Sequence, residues 1–325
     1  MVKKKNLFRM LALPNRFPYF YFFKRKQMQK AIIFGANGYL GRHLAKALKA
    51  SNIAFIPTGR AAKSIDNYGN YVQVDICKPE TLAQLDFNVD YIFVFAAITG
   101  TSTKITDYIA MKSVNELGLL TILQQHQQSN SIAKIIFSST RLVYKGQSNV
   151  FLKENDQQEA LTPYAQTKIN GEQLLAFYQE HAGINYTIFR ICVPYGNAFD
   201  GAYSYGTTGF FLSKAQNGEN ISIYGKGNQK RTFTHVEDII NVILATIPHT
   251  KSNNQIYNIG GNDHLSLKEV AEMVAHKFNV KLDFVSFPEQ AAKIESGDTI
   301  FDDLKLQFDF PYTYQHHIKK WIDSI

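Results

Sequence analysis

The stretch that most constrains this chain is Gly35-Ala36-Asn37-Gly38-Tyr39-Leu40-Gly41. It follows the apolar run Ala31–Phe34 and opens a helical pattern, Tyr39–Ala50, in which Leu40, Leu44 and Leu48 recur at four-residue spacing. Three glycines at that junction permit a tight strand-to-helix turn whose backbone N–H groups can reach an anion at the positive helix end. The same alternation continues downstream. Further strands are expected at Ile53–Thr58, Tyr71–Val74, Tyr91–Phe95, Lys134–Phe137 and Asn185–Arg190, with helices near Val114–Gln128 and Pro163–His181. Strands alternating with helices over this length predict an α/β fold, a doubly wound parallel sheet covered on both faces. After Arg190 the pattern gives way to loops rich in glycine and tyrosine. Two helices are expected there, near Leu267–Phe278 and Tyr314–Ile322.

A second constellation supplies chemistry. Thr162-Pro163 is a favourable helix start, with threonine as N-cap and proline at the first helical position. Tyr164 and Lys168 then share one face of that helix, one turn apart. A free tyrosine has a pKa of about 10 and is a poor base at neutral pH. A nearby ammonium, joined by the positive nicotinamide of an oxidised cofactor, would favour the phenolate. Tyr-x-x-x-Lys alone arises often by chance; behind a nucleotide turn and the hydroxyl run Ser138-Ser139-Thr140 it reads as an active site.

The chain has 325 residues and a formal net charge of +8, but residues 1–30 carry nine Lys/Arg and no acid. The remaining 295 residues hold 26 Lys/Arg against 27 Asp/Glu, so the body is close to neutral and no basic groove for nucleic acid is expected. Residues 1–27 read as a basic leader, disordered or dispensable with Met28 as an alternative start, or else a weak contact with an anionic membrane surface. No uninterrupted apolar run there approaches the ~20 residues that span a bilayer. Cys77 and Cys192 are isolated, which suits a reducing cytoplasm, and the nine histidines show no ligand spacing, so no metal site is expected. The expected division is a dinucleotide-binding domain over 28–190 with a return segment near 233–260. A smaller substrate-binding domain is expected over 191–232 and 261–325.

With Gly-x-x-Gly-x-x-Gly ahead of Tyr-x-x-x-Lys, the chain resembles the extended short-chain dehydrogenase/reductase family, in its nucleotide-sugar epimerase, dehydratase and reductase branch. The resemblance runs from Met28 to the C-terminus and implies a Rossmann fold. It implies cofactor contacts at Gly35, Asn37, Gly38, Tyr39, Leu40 and Gly41 and at the adenine segment Asp75-Ile76. Further contacts are implied at the small strand end Ala96-Ala97, at Asn115 of an Asn-x-x-Gly motif, and at Ser138, Tyr164 and Lys168. By register the catalytic hydroxyl is Thr140, with Tyr164 moving the proton and Lys168 holding the nicotinamide ribose. Substrate contacts are implied at Thr140, Tyr164, Val193 and Arg231, the last on the sugar-nucleotide diphosphate. A homodimer through paired helices is also implied.

Three departures narrow the reading. Where members that prefer NAD carry an acid, the second strand ends in Gly59 followed by Arg60. An arginine fork suits a 2′-phosphate, so NADP(H) is favoured and NAD(H) remains open. Dehydratases carry an acidic pair after the catalytic hydroxyl; Arg141-Leu142 stands there and speaks against dehydration. Val193 replaces a sugar-touching asparagine, which leaves the sugar open. The expected activity is hydride transfer at C4 of a nucleotide sugar, a 4-ketoreductase first and a 4-epimerase as the alternative. A cofactor-binding sensor without chemistry is the third reading, and intact Thr140, Tyr164 and Lys168 oppose it. Asp238 is expected as a structural partner, His235 as a packed histidine, and Tyr144 and Tyr195 either in the pocket or in the core.

Overall fold

The computed structural model describes residues 30–101, 104–199 and 205–325; the leader discussed above lies outside them. Five strands open the chain: β1 (Lys30–Phe34), β2 (Ala54–Gly59), β3 (Val72–Gln73), β4 (Tyr91–Val94) and β5 (Lys134–Thr140). Together with Tyr186–Ile191 and Gln255–Ile259 they form a seven-stranded parallel sheet. Its spatial order is Gln255–Ile259, Tyr186–Ile191, β5, β4, β1, β2, β3. The order reverses between β1 and β4, and it is outside the carboxyl ends of such a pair that open α/β sheets bind ligands.

Side chains alternate strictly across this sheet. Ile33, Phe93, Ile136 and Phe189 pack on one face with Leu44 and Leu48 of α1 (Tyr39–Ala50) and with Ile239 and Ile243 of the helix Val236–Thr246. Ile32, Phe34, Ile92, Ile135 and Phe137 pack on the other with Leu119, Ile122 and Leu123 from the helix Gly118–Gln128 and Leu175 from the helix Pro163–Ala182. A strand covered on both faces has no polar side, which is why β4 and β5 are buried throughout.

Most boundaries fall within two residues of the expected ones, and the differences have local causes. The expected helix Val114–Gln128 begins as a π-turn over Ser113–Leu117 before becoming α-helical at Gly118. The strand Gln255–Ile259 was not anticipated. The expected Tyr314–Ile322 helix starts only at Ile318, because the N–H groups of Gln315 and His316 donate to the Asp238 carboxylate instead of entering a helix. The C-terminal region builds a three-stranded sheet from Val193–Tyr195, Lys230–His235 and Asp263–Ser266. Its helix Leu267–Phe278 opens on a Ser266–Glu269 capping box. No helix among the described residues is long and apolar enough to cross a membrane.

Candidate active site

The glycine turn sits at the switch point between β1 and β4. Gly35 has φ +92°, and a Cβ there would lie 2.6 Å from the Ala96 amide nitrogen. At Gly41 a Cβ would come within 2.1 Å of the Gly35 carbonyl oxygen, so the third glycine lets α1 pack onto the turn. Gly38 is the N-cap; no side chain caps α1 and no acid occupies its first turn, which leaves the positive helix end to an anion. The Asn-x-x-Gly motif has an equally physical cause. A Cβ on Gly118 would strike Ile76 at 2.6 Å, and Asn115 Oδ1 and Nδ2 bond the N–H and C=O of Ile98 at 2.8 and 2.9 Å.

Several residues expected to touch the cofactor also bond within the protein. Asn115 also donates to Thr167 Oγ1 at 2.9 Å, so it shapes the cleft wall through Ile98. Asn37 braces the following loop, donating to the Lys63 carbonyl and accepting from the Ile65 amide. The Tyr39 hydroxyl donates to the Gly196 carbonyl at 2.7 Å, and its ring stacks on Tyr205 with centroids 4.1 Å apart. Leu40 packs partly buried against the core, and Asp75 accepts the Cys77 N–H. Ala96 and Ala97 stay half-buried beside the turn. Arg60 is exposed just beyond β2.

Thr162 caps the helix Pro163–Ala182 as its sequence requires, accepting from the Ala165 amide at 3.1 Å. Lys168 is 2% exposed, donates to the Ser138 carbonyl at 2.7 Å and lies 5.8 Å from the Tyr164 ring centroid. Burial pushes the Lys168 ammonium down to about 7, opposed by the charge of Glu172. In the protein alone, desolvation and then the charge of Tyr205 push the Tyr164 phenol up; the expected phenolate also draws on the positive nicotinamide of an oxidised cofactor. The lysine points at a backbone carbonyl, so its charge alone does not make a phenolate. Thr140 ends β5, and its Oγ1 accepts from the Leu142 amide at 3.3 Å.

Sequence reasoning missed a network beneath these groups. Glu172 is held by Arg190 through Nε and Nη2, at 3.0 and 2.5 Å, and by the Ser139 hydroxyl at 2.5 Å. Arg190 continues to the Tyr144 hydroxyl at 2.8 Å, and Tyr144 donates to Asn258 at 2.6 Å. Tyr144 is therefore core, and Tyr195 is also fully buried, with no bonding partner for its hydroxyl among the described residues. Val193 is 5% exposed and packs in the C-terminal core with Phe233. Arg231 is 3% exposed and pairs with Glu295 at 3.0 Å while donating to the carbonyls of Lys230 and Gly297.

The fold does bring two histidines together, contrary to the linear spacing. His235 and His316 stack at 3.9 Å beside Glu237. Their planes differ by only 18°, so the ring lone pairs run side by side and do not converge on one ion. Burial and then His316 push His235 down to about 4, and its Nδ1 accepts the Glu237 N–H as a helix cap. Asp238 accepts from Tyr312, Gln315 and His316, a structural role.

The sequence model of the NAD dependent epimerase/dehydratase family matches residues 31–260. The chain belongs to this family. A UDP-N-acetyl-alpha-D-glucosaminuronate decarboxylase of Bacillus cytotoxicus is 30% identical over 264 residues, covering 75% of this chain and 78% of the relative. Among solved structures, the UDP-glucose 4-epimerase of Thermotoga maritima with UDP-glucose superimposes with a TM-score of 0.79 at 20% identity. The match covers 91% of this chain and 96% of that one. The UDP-glucuronic acid 4-epimerase of Bacillus cereus, complexed with UDP-glucuronic acid and NAD, gives 0.78 at 22% identity over 91% and 97%. These likenesses extend the shared fold over 91% of this chain. The NADP(H) preference drawn from Arg60 finds no support, since the family is NAD-dependent. An exposed arginine after a glycine is also an ordinary solvated loop charge. The glycine turn, with its uncapped helix end and the room left by Gly38, fits a dinucleotide.

Proposed function

We propose that this protein transfers a hydride at C4 of a nucleotide-linked sugar and returns it to the opposite face, as a nucleotide-sugar 4-epimerase that keeps its NAD. The observation that supports this reading is Lys168, bonded to the Ser138 carbonyl two residues before Thr140 at the end of β5 and 5.8 Å from the Tyr164 ring, in a sheet whose β1 ends in the glycine turn. The reductase reading rested on Arg60 and loses its ground with the NADP(H) preference.

Bound NAD would supply the hydride acceptor and donor at its nicotinamide ring. The Tyr164 hydroxyl is assigned to take the proton from the C4 hydroxyl on oxidation and to give it back on reduction. Burial keeps its phenol protonated, so the proton returned on reduction is in place, and the positive charge that favours its anion would arrive with the oxidised cofactor. Thr140 is assigned to hydrogen-bond the same oxygen, and Lys168, fixed by Ser138, to hold the nicotinamide ribose. Arg231 is assigned to the diphosphate, which uses remote binding energy to position the reacting carbon. Relatives named for UDP-glucose and UDP-glucuronate epimerisation support this class of substrate.

Tyr164→Phe tests the assignment. Removing only the proton-transferring oxygen is expected to lower turnover of the accepted nucleotide sugar by at least about a hundredfold with the NAD Kd unchanged. Turnover within tenfold of wild type rejects Tyr164 as the acid–base group.

A further inference from the structure

Glu295 lies between the helix Glu289–Lys293 and the strand Ile300–Phe301, and its carboxylate collects three donors. Oε1 accepts from Arg231 Nη2 at 3.0 Å and from the Gly297 N–H at 2.9 Å, and Oε2 accepts from Gln229 Nε2 at 3.2 Å. A guanidinium and a backbone N–H are donors that phosphate oxygens also draw in proteins. Arg231 Nη1 is spent on the carbonyls of Lys230 and Gly297, so the edge left for an incoming anion includes the nitrogen that Glu295 holds. A second guanidinium stands close by. Arg141 donates from Nη1 to the Thr299 hydroxyl at 3.3 Å, and Thr299 is paired with Arg231 through the backbone. Burial, and then the charge of Arg231, push Arg141 down to about 10, still protonated at neutral pH.

An arginine only 3% exposed needs a counter-ion, because a buried charge left without its partner is strongly destabilising. Glu295 meets that need from within the chain. A diphosphate on the same guanidinium would bring its anionic oxygens up against that carboxylate, and like charges in a half-buried site repel. Resting on the assignment of Arg231 to the diphosphate, we propose that Glu295 is an internal competitor for that subsite, displaced from Arg231 when the nucleotide sugar binds. Arg231 and Arg141 then both face the diphosphate, two cations for its negative charge. The surroundings permit the exchange. Asp298 pins the segment after Glu295, its carboxylate accepting the Lys230 and Asn149 amides at 2.7 and 2.8 Å and its carbonyl the Gln147 amide at 3.0 Å. The helix Glu289–Lys293 before it buries no residue, and the Glu295 side chain is 26% exposed. The carboxylate can therefore turn out to solvent while the strand that carries Arg231 stays in place.

The test is calorimetric titration of the NAD-loaded full-length enzyme with UDP and dTDP, and with uridine and thymidine as partners that lack phosphate. Glu295→Gln keeps the side-chain length and removes the charge. It should tighten the diphosphates by roughly threefold to thirtyfold, the difference between a charged and a neutral hydrogen bond, and leave the nucleosides unchanged. Glu295→Ala, which cannot reach Arg231, should tighten them as well. Arg231→Met and Arg141→Met should each weaken the diphosphates by about tenfold or more. If Arg231→Met weakens them but neither Glu295 variant tightens them, Glu295 merely supports Arg231 and the proposal alone fails. Equal gains for the nucleosides would overturn it too. Wild-type affinity in Arg231→Met, or no binding of either diphosphate to any form, would remove Arg231 from the diphosphate, and the proposal would fall with that assignment. The titrations do not depend on turnover, so their outcome is separate from that of the C4 hydride reading.

Discussion

Lys168 and Tyr164 are driven in opposite directions by the same burial. The lysine is pushed toward neutrality and the tyrosine is kept protonated. This has a measurable consequence for Lys168. Its pKa in the folded protein is about 7 against an unfolded value of about 10.4. Between those values the unfolded chain binds the extra proton, so the wild-type stability contribution rises with pH. Below pH 7 both states are protonated and the penalty is constant. The difference in Tm between Lys168→Met and wild type is therefore expected to shrink as pH rises from 7 to 10. A difference that is flat or grows over that range contradicts the buried, depressed ammonium.

At the scale of elements, the helix Pro163–Ala182 is tied to β5, to Tyr186–Ile191 and to Gln255–Ile259 by one buried chain of bonds through Glu172, Arg190, Tyr144 and Asn258. Glu172→Ala leaves Arg190 buried without its counter-ion, and breaking such a pair costs about 3–5 kcal/mol. Urea unfolding should show that loss as a lowered midpoint; a midpoint near wild type would make the pair incidental. None of this network was legible in the sequence. Glu172 reads there as one more acid on a helix, and only its packing against β5 reveals a partner. What was legible followed from local rules. Tyr39–Ala50 shows in its leucine spacing, Thr162-Pro163 announces a helix start, and the three glycines mark close backbone approach. The strand Gln255–Ile259 escaped because a short apolar run has no periodicity of its own, and its partner Tyr186–Ile191 is some seventy residues upstream. The π-turn Ser113–Leu117 escaped because no local residue pattern marks it; its Asn115 bonds Ile98, a contact again distant in sequence.

For the whole molecule, the resemblance implies a homodimer, and the surface offers it a face. Ile105 and Ile109 on the helix Ile105–Lys112 are 75% and 69% exposed. Leu117 beside them is 48% exposed, and that helix packs on the one bearing Tyr164. Light scattering should give twice the 36.9 kDa chain mass, and Ile109→Asp should shift it toward the monomer. A wild-type monomer would contradict the dimer. In the proposed reaction hydride leaves and returns to one carbon without an external reductant. It is tested most directly with nucleotide sugars deuterated at C4, incubated with the NAD-loaded enzyme and no added NADH or NADPH, and followed by NMR. The expected result is the C4 epimer with deuterium still at C4. An epimer carrying a solvent proton at C4, or a reaction that proceeds only with stoichiometric NADPH, would contradict it.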